Sequence, residues 1–260
     1  MNALPPYSAA RTEVVRLPGG GAEQDELAVE EPLEIRVNGH ALAVTMRTPG
    51  HDEELAIGFL RSEGIRAVSA HPPADLAANA IDVVVEGPFD PDRLQRNFYT
   101  SSSCGVCGKG ALEAVAVEAP RVESGLRVPA GLVSALPGRL REAQPAFAAT
   151  GGLHATGLFT ADGATVVVRE DVGRHNAMDK VIGRAFLDGL LPLSGQILCV
   201  SGRLSFELVQ KAAVAGCPVV AAVGAPSTLA VELARDRGVT LCGFIRGGTL
   251  NVYSQPERIA

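Results

Sequence analysis

Leu33-Glu34-Ile35-Arg36-Val37 alternates apolar and polar side chains, a second apolar-rich run spans 41–46, and Asn38-Gly39 lies between them. Two such runs around an Asn-Gly pair predict a β-hairpin. Thr48-Pro49-Gly50 stops the second strand. Asp52, Glu53 and Glu54 then open a helix carrying Leu55, Ile57, Phe59 and Leu60, with Gly64 at its end. Acids in the first turn complement the helix dipole. Ile81-Asp82-Val83-Val84-Val85 reads as a strand, 112–117 as a helix or strand, and 132–143 as a helix interrupted at Pro137-Gly138 and closed by Pro145.

The second half is more regular. Strands are predicted at 164–169, 196–200, 218–223, 239–245 and 250–253. Between them lie helices at 177–186, ended by Gly189, at 205–215, and at 227–237 with Ser227 as N-cap. This alternation predicts βαβ units with right-handed crossovers and a mostly parallel sheet. The fold class is therefore α/β, with a smaller α+β part first. Residues 1–28, mixing Pro, Gly and acids, are expected to be a loosely ordered tail or edge segment; 29–147 form the N-terminal α+β domain and 148–260 the C-terminal one.

Composition narrows the function. Of 260 residues 47% are hydrophobic but only 4% aromatic, with no Trp, so the core is built from small aliphatic side chains in layered α/β packing. The formal charge of −6 argues against nucleic acid or an anionic membrane as partner. No run approaches the ~18 apolar residues of a membrane span, and the first residues lack the basic-then-apolar order of a signal peptide. Five cysteines, an odd number at irregular spacing, do not make a secreted disulfide framework. The expectation is a cytoplasmic protein with reduced thiols. Its only lysines are Lys109, Lys180 and Lys211.

The densest chemistry is Ser101-Ser102-Ser103-Cys104-Gly105-Val106-Cys107-Gly108-Lys109-Gly110. Its glycines predict an exposed, mobile loop. A Cys-x-x-Cys pair with a cation nearby has an increased thiolate fraction at neutral pH. Half of a zinc site would need two further ligands, and Cys199, Cys217 and Cys242 are isolated in apolar runs. A thioredoxin-like disulfide would sit at a helix start after a strand, whereas this pair follows a polar run from Asn97. Carriage of sulfur or an acyl group fits best.

At the strand ends, Arg169-Glu170-Asp171-Val172-Gly173-Arg174-His175-Asn176 concentrates cations, acids, an imidazole and an amide before a helix. Ser201-Gly202-Arg203, Gly224-Ala225-Pro226-Ser227-Thr228 and Phe244-Ile245-Arg246-Gly247-Gly248-Thr249 end neighbouring strands. Ligands of such sheets bind at this edge, where helix N-termini favour anions. Turn geometry alone explains Ser201 and Ser227 as readily. Capping one helix, however, does not require the whole cluster from Arg169 to Asn176. His154, among glycines, is either a core histidine or a point of close approach; His40, His51 and His71 are expected to have no role. The sequence contains no Gly-x-x-x-x-Gly-Lys-Ser/Thr, no Gly-x-Gly-x-x-Gly in a βα turn and no zinc-deaminase signature.

Together, Thr48 to Leu60, Ser102 to Lys109, Thr150 to Ala155 and Arg169 to Lys180 resemble the FdhD family of formate dehydrogenase accessory sulfurtransferases, a likeness running from about residue 30 to the C-terminus. The resemblance implies a C-terminal domain of cytidine deaminase-like, three-layer α/β fold without the zinc site. It implies a sulfurtransferase that takes sulfur from a cysteine desulfurase as a persulfide on the Cys-x-x-Cys loop. The sulfur goes to the molybdenum (or tungsten) bis-molybdopterin guanine dinucleotide cofactor of formate dehydrogenase. Implied too are binding of that cofactor as substrate and of guanine nucleotides such as GDP as its mimic, a homodimer, and no permanently bound metal. The catalytic residues would be Cys104, the persulfide carrier, and Cys107, a relay, protecting partner or second carrier, with Lys109 stabilising the thiolate. The cofactor-binding stretch maps onto Phe244, Ile245, Arg246, Gly247, Gly248 and Thr249. Arg174, His175, Ser201, Gly202 and Arg203 join it, since guanidinium groups at helix N-termini suit a pyrophosphate. The alternative is a non-catalytic chaperone for the molybdenum cofactor and the apo-dehydrogenase.

Overall fold

The computed structural model describes residues 8–87, 117 and 119–260. The predicted loop around Cys104 and Cys107, with Lys109, and the element at 112–116 lie outside the described residues.

The segment expected to be a loosely ordered tail or edge segment forms an antiparallel ribbon, β1 (Ala9–Arg16) and β2 (Gly21–Ala28). A four-stranded sheet follows, built from β3 (Glu31–Val37), β4 (His40–Arg47), β5 (Ala67–His71) and β6 (Ala80–Val85) in the order β4-β3-β6-β5. The β3–β4 hairpin turns where predicted, with Asn38 and Gly39 both at positive φ. Helix α1 (Asp52–Ser62) covers one face of this sheet and buries Leu55, Ile57 and Leu60 against Leu33, Ile35, Val37 and Val83.

The second sheet contains β7 (His154–Thr160), β8 (Thr165–Asp171), β9 (Gln196–Val200), β10 (Val219–Ala222), β11 (Thr240–Arg246) and β12 (Thr249–Ser254), ordered β12-β11-β10-β9-β7-β8. β9, β10 and β11 pair in parallel, while β7 and β12 run against their neighbours. The mostly parallel sheet of the prediction is thus a mixed sheet, with its parallel pairings confined to the centre. β7 was not among the strands predicted. Gly157 breaks the apolar pattern there because a Cβ would lie 2.6 Å from the ring of Phe159.

Residues of β9 and β10 alternate between two cores, as a strand with both faces covered requires. Ile197, Cys199, Val219 and Ala221 face α2 (Ala130–Glu142) through Val133, Leu136 and Leu140. Leu198, Val200, Val220 and Ala222 face the other side, where α4 (Arg174–Leu187), α5 (Phe206–Val214) and α6 (Thr228–Arg237) pack. The result is a three-layer α/β body. Helix α2 runs unbroken through Pro137 and packs on this body, as do Ala119 and Val122, so the chain joins it well before residue 148. The short α3 (Pro145–Thr150) bridges the predicted boundary.

α1 and α4 cross at Gly58 and Gly183, close enough that backbone meets backbone. Buried ion pairs flank the crossing. Lys180 Nζ lies 2.7 Å from Asp171 and donates to the carbonyl of Thr48, and Lys211 Nζ lies 2.8 Å from Asp179, which also accepts from Ser62.

Candidate ligand cleft at the sheet edge

The cluster from Arg169 to Asn176 divides into two groups. Arg169 donates through Nε and Nη2 to the Glu54 carboxylate at 2.6 and 2.8 Å. Asp171, fully buried, accepts from the backbone N–H groups of Thr48 and Gly173 and from Asn176 Nδ2, whose other contact is the Met46 carbonyl. Glu170 caps α3 by accepting from the N–H groups of Ala146 and Phe147. Arg169, Asp171 and Asn176 thus fasten α1, the β4–α1 loop and the end of β4 to the larger body, while Glu170 holds α3. Arg174 and His175 remain for the site.

Those two open α4 next to the end of β9. Arg174 Nε is buried without a hydrogen-bond partner. His175 Nε2 is 2.7 Å from Glu207 Oε2 and 3.2 Å from Ser205 Oγ, both at the start of α5. That hydrogen bond pulls the Glu207 carboxyl below the usual carboxylate range. Gly202 lies between two side chains: a Cβ there would come 3.4 Å from His154 Nδ1 and 4.0 Å from Arg174 Cδ. Burial, then the Arg174 and His175 charges, hold His154 below its ordinary pKa.

The strand-end loops stack into one strip. Gly224 N donates to the Gly202 carbonyl and Phe244 N to that of Gly224, each at 3.1 Å. A Cβ on Gly224 would lie 2.9 Å from the Gly202 oxygen, so that position accepts only glycine without a shift. Ser201 is occupied structurally, since its Oγ accepts from Ala155 N at 2.9 Å and ties β9 to β7. Ser227 and Ser205 cap α6 and α5.

Arg203 and Arg246 are exposed. Arg203 lies just ahead of the α5 N-cap. Arg246 does not lie at a helix N-terminus, because Phe244 to Thr249 form the β11–β12 hairpin with Gly247 and Gly248 at positive φ in its turn. Ile245 is buried in the α2-side core. Phe244 takes φ +53 and is exposed, which places an aromatic ring at the strip's end.

On the α2 side of the strip a cleft of about 490 Å³ opens between His154, Ser201 and Val223 and the α2–α3 corner, with Arg141, Gln144 and Phe147 in its wall. The sequence reading did not find these three residues. They are some fifty residues from Ser201 in the chain, and no local motif marks them. Among the described residues no three His, Cys, Asp or Glu side chains gather as a metal site. Nor does any described helix have the length and apolarity to cross a membrane.

A mixed α/β protein whose paired sheets and helices leave a cleft at the carboxyl edge of its central strands is the class these features define. Residues 28–260 match the model of the FdhD/NarQ family, and the chain belongs to that family. It is 51% identical over 268 residues to a protein of Streptomyces coelicolor called "Sulfur carrier protein FdhD", covering 96% of this chain and 95% of that one. A Mycobacterium tuberculosis protein of the same name is 51% identical, covering 90% and 92%. A crystal structure from Desulfotalea psychrophila, of a protein assigned as a formate dehydrogenase accessory protein, has 27% sequence identity and a TM-score of 0.76, with 97% and 98% of the two chains covered.

Proposed function

We propose that this chain is the sulfur carrier of formate dehydrogenase maturation. It takes sulfur from a cysteine desulfurase onto Cys104 and passes it to the molybdenum bis-molybdopterin guanine dinucleotide cofactor, its substrate, with the nucleotide end held at the strip from Arg174 to Thr249. The observation that carries the reading is the exclusion of three of the five cysteines. Cys199, Cys217 and Cys242 are all buried, and burial pushes the Cys217 and Cys242 thiols up to about 12 and Cys199 higher still. A neutral, enclosed thiol is neither nucleophile nor carrier. Cys104 and Cys107 are the thiols left for the chemistry.

Loading is a thiol–disulfide exchange. The Cys104 thiolate attacks the outer sulfur of the donor's persulfide, an S–S bond forms as another breaks, and the desulfurase cysteine departs as thiolate. No net oxidation occurs. The names of the relatives and the paired cysteines support this role. Arg174, whose Nε has no hydrogen-bond partner and whose charge also reaches the Glu207 carboxylate, and the first turn of α4 supply positive potential for a phosphate.

The test is intact mass after incubation with cysteine and a desulfurase. A gain of one sulfur that disappears in Cys104→Ala supports the carrier. A protein that gains none, yet still activates apo-dehydrogenase, is the chaperone of the alternative reading.

A further inference from the structure

We propose that a second cavity, at the far end of α5 from the strip, binds a small organic monocarboxylate with a compact apolar body, between α1 and the larger body. It opens where the end of α1, the middle of α4 and the last turn of α5 meet. Its volume of about 350 Å³ is at the lower end of small-molecule sites. Ile65, Ile182, Leu191 and Val214 line it, which suits an organic occupant better than an inorganic ion. Arg61, Arg66 and Lys211 line it too, and among the described residues no carboxylate does.

The three cations differ in what already neutralises them. Lys211 Nζ is 2.8 Å from Asp179, and Arg66 Nη1 is 3.5 Å from Glu86. Arg61, half-buried, has no carboxylate partner among the described residues. Its Nη1 donates to the Ala67 carbonyl at 2.8 Å, and its guanidinium lies 4.0 Å over the Phe186 ring. Burial, and then the Arg66 charge, hold its pKa below the ordinary arginine value.

That imbalance selects the ligand. One cation without a counter-charge is balanced by one negative charge. A phosphate dianion would bring one charge too many, and a zwitterionic amino acid would bring an ammonium to a lining that offers it no acid. A carboxylate meets the charge requirement and matches the planar donor fork of a guanidinium.

The cavity also lies where the chain on both sides of Cys104 is fastened. Glu86 N donates to the Arg66 carbonyl at 2.9 Å, and Val117 N donates to Gln210 Oε1 at 3.0 Å, one residue ahead of Lys211. A Cβ on Gly64 would stand 3.2 Å from Val117. An acid held by Arg61 would brace these attachments from inside the α1–α5 junction. The site does not depend on the sulfur-carrier reading, and sulfur carriage on Cys104 can fail without touching it.

Calorimetric titration of the full chain with benzoate and with 4-methylpentanoate tests this, with benzamide as neutral control and inorganic phosphate as inorganic control. At least one of the two carboxylates should bind with a Kd of about 1 mM or tighter. Both controls should bind about tenfold more weakly or not at all. Arg61→Gln should weaken the carboxylate about tenfold. Arg66→Glu, at an exposed position, sets a negative charge beside Arg61 and should weaken it about threefold or more. Failure of both carboxylates to bind overturns the proposal, as does a control that binds as tightly or unchanged affinity in either variant. Should Arg61→Gln not fold, Arg66→Glu decides.

Discussion

Gly58 and Gly183 face each other where α1 crosses α4, and a Cβ on either would stand 1.8 Å from backbone: Asp179 O for Gly58, Glu54 O for Gly183. The obstacle is a main-chain carbonyl in each case, so no side chain can rotate away. The helices would have to separate, and the Glu54–Arg169 pair and the Ser62–Asp179 hydrogen bond, which join α1 to the larger body, would separate with them. Over-packing usually costs ~1–3 kcal/mol and sometimes more. Gly183→Ala and Gly58→Ala should each lower unfolding stability by about 3 kcal/mol, measured by urea denaturation. A loss below about 0.5 kcal/mol, within the range of surface changes, would mean that the helices are free to move apart.

The Asp171–Lys180 pair should behave as a buried ion pair with further hydrogen bonds. Removing one partner strands the other charge among groups arranged for two, a cost of about 3–5 kcal/mol. Lys180→Met should therefore be among the most damaging substitutions outside the aliphatic core. Adding Asp171→Asn to it should recover part of the loss, because the amide no longer carries an uncompensated charge. A double-mutant cycle in urea checks this, and strict additivity of the two changes would contradict the pairing.

These two relationships show where the sequence was legible. The Asn38-Gly39 turn, the Ser227 cap and the succession β9–α5–β10–α6–β11 could be read directly, because each depends on neighbours within a few residues. β1 and β2 could not. Gly21–Ala28 is almost entirely exposed and has no apolar stripe, and its order comes from pairing with Ala9–Arg16. β7 was hidden by Gly157, whose missing side chain makes room for Phe159. In the cluster from Arg169 to Lys180 the residues stood out, but their division of labour did not. Asp171, Asn176 and Lys180 answer to Met46 and Thr48, more than a hundred residues earlier, and only the folded chain distinguishes them from Arg174 and His175.

His154 supplies a pH test of the cleft. Burial first, and the Arg174 charge second, hold its folded-state pKa below the ordinary 6.5. The sign follows from linkage: when the folded pKa is the lower one, the unfolded chain binds the proton first, so stability falls as pH drops below about 6.5 and goes on falling to the folded pKa. His51 is lowered as well, by burial and then Arg169, and adds in the same direction. Glu63, Glu170 and Asp179, each raised by burial, act in the opposite sense, so the test is a difference: between about pH 7.5 and 5.5 the thermal midpoint of the wild type should fall relative to that of His154→Gln. The His154 ring proton, followed by NMR, should titrate below 6.5 in the free protein. A phosphate bound at Arg174 would offset that cation and stabilise the imidazolium, so GDP should move the titration upward. A His154 that titrates at its ordinary value, unchanged by GDP, would place neither the Arg174 charge nor the ligand beside it.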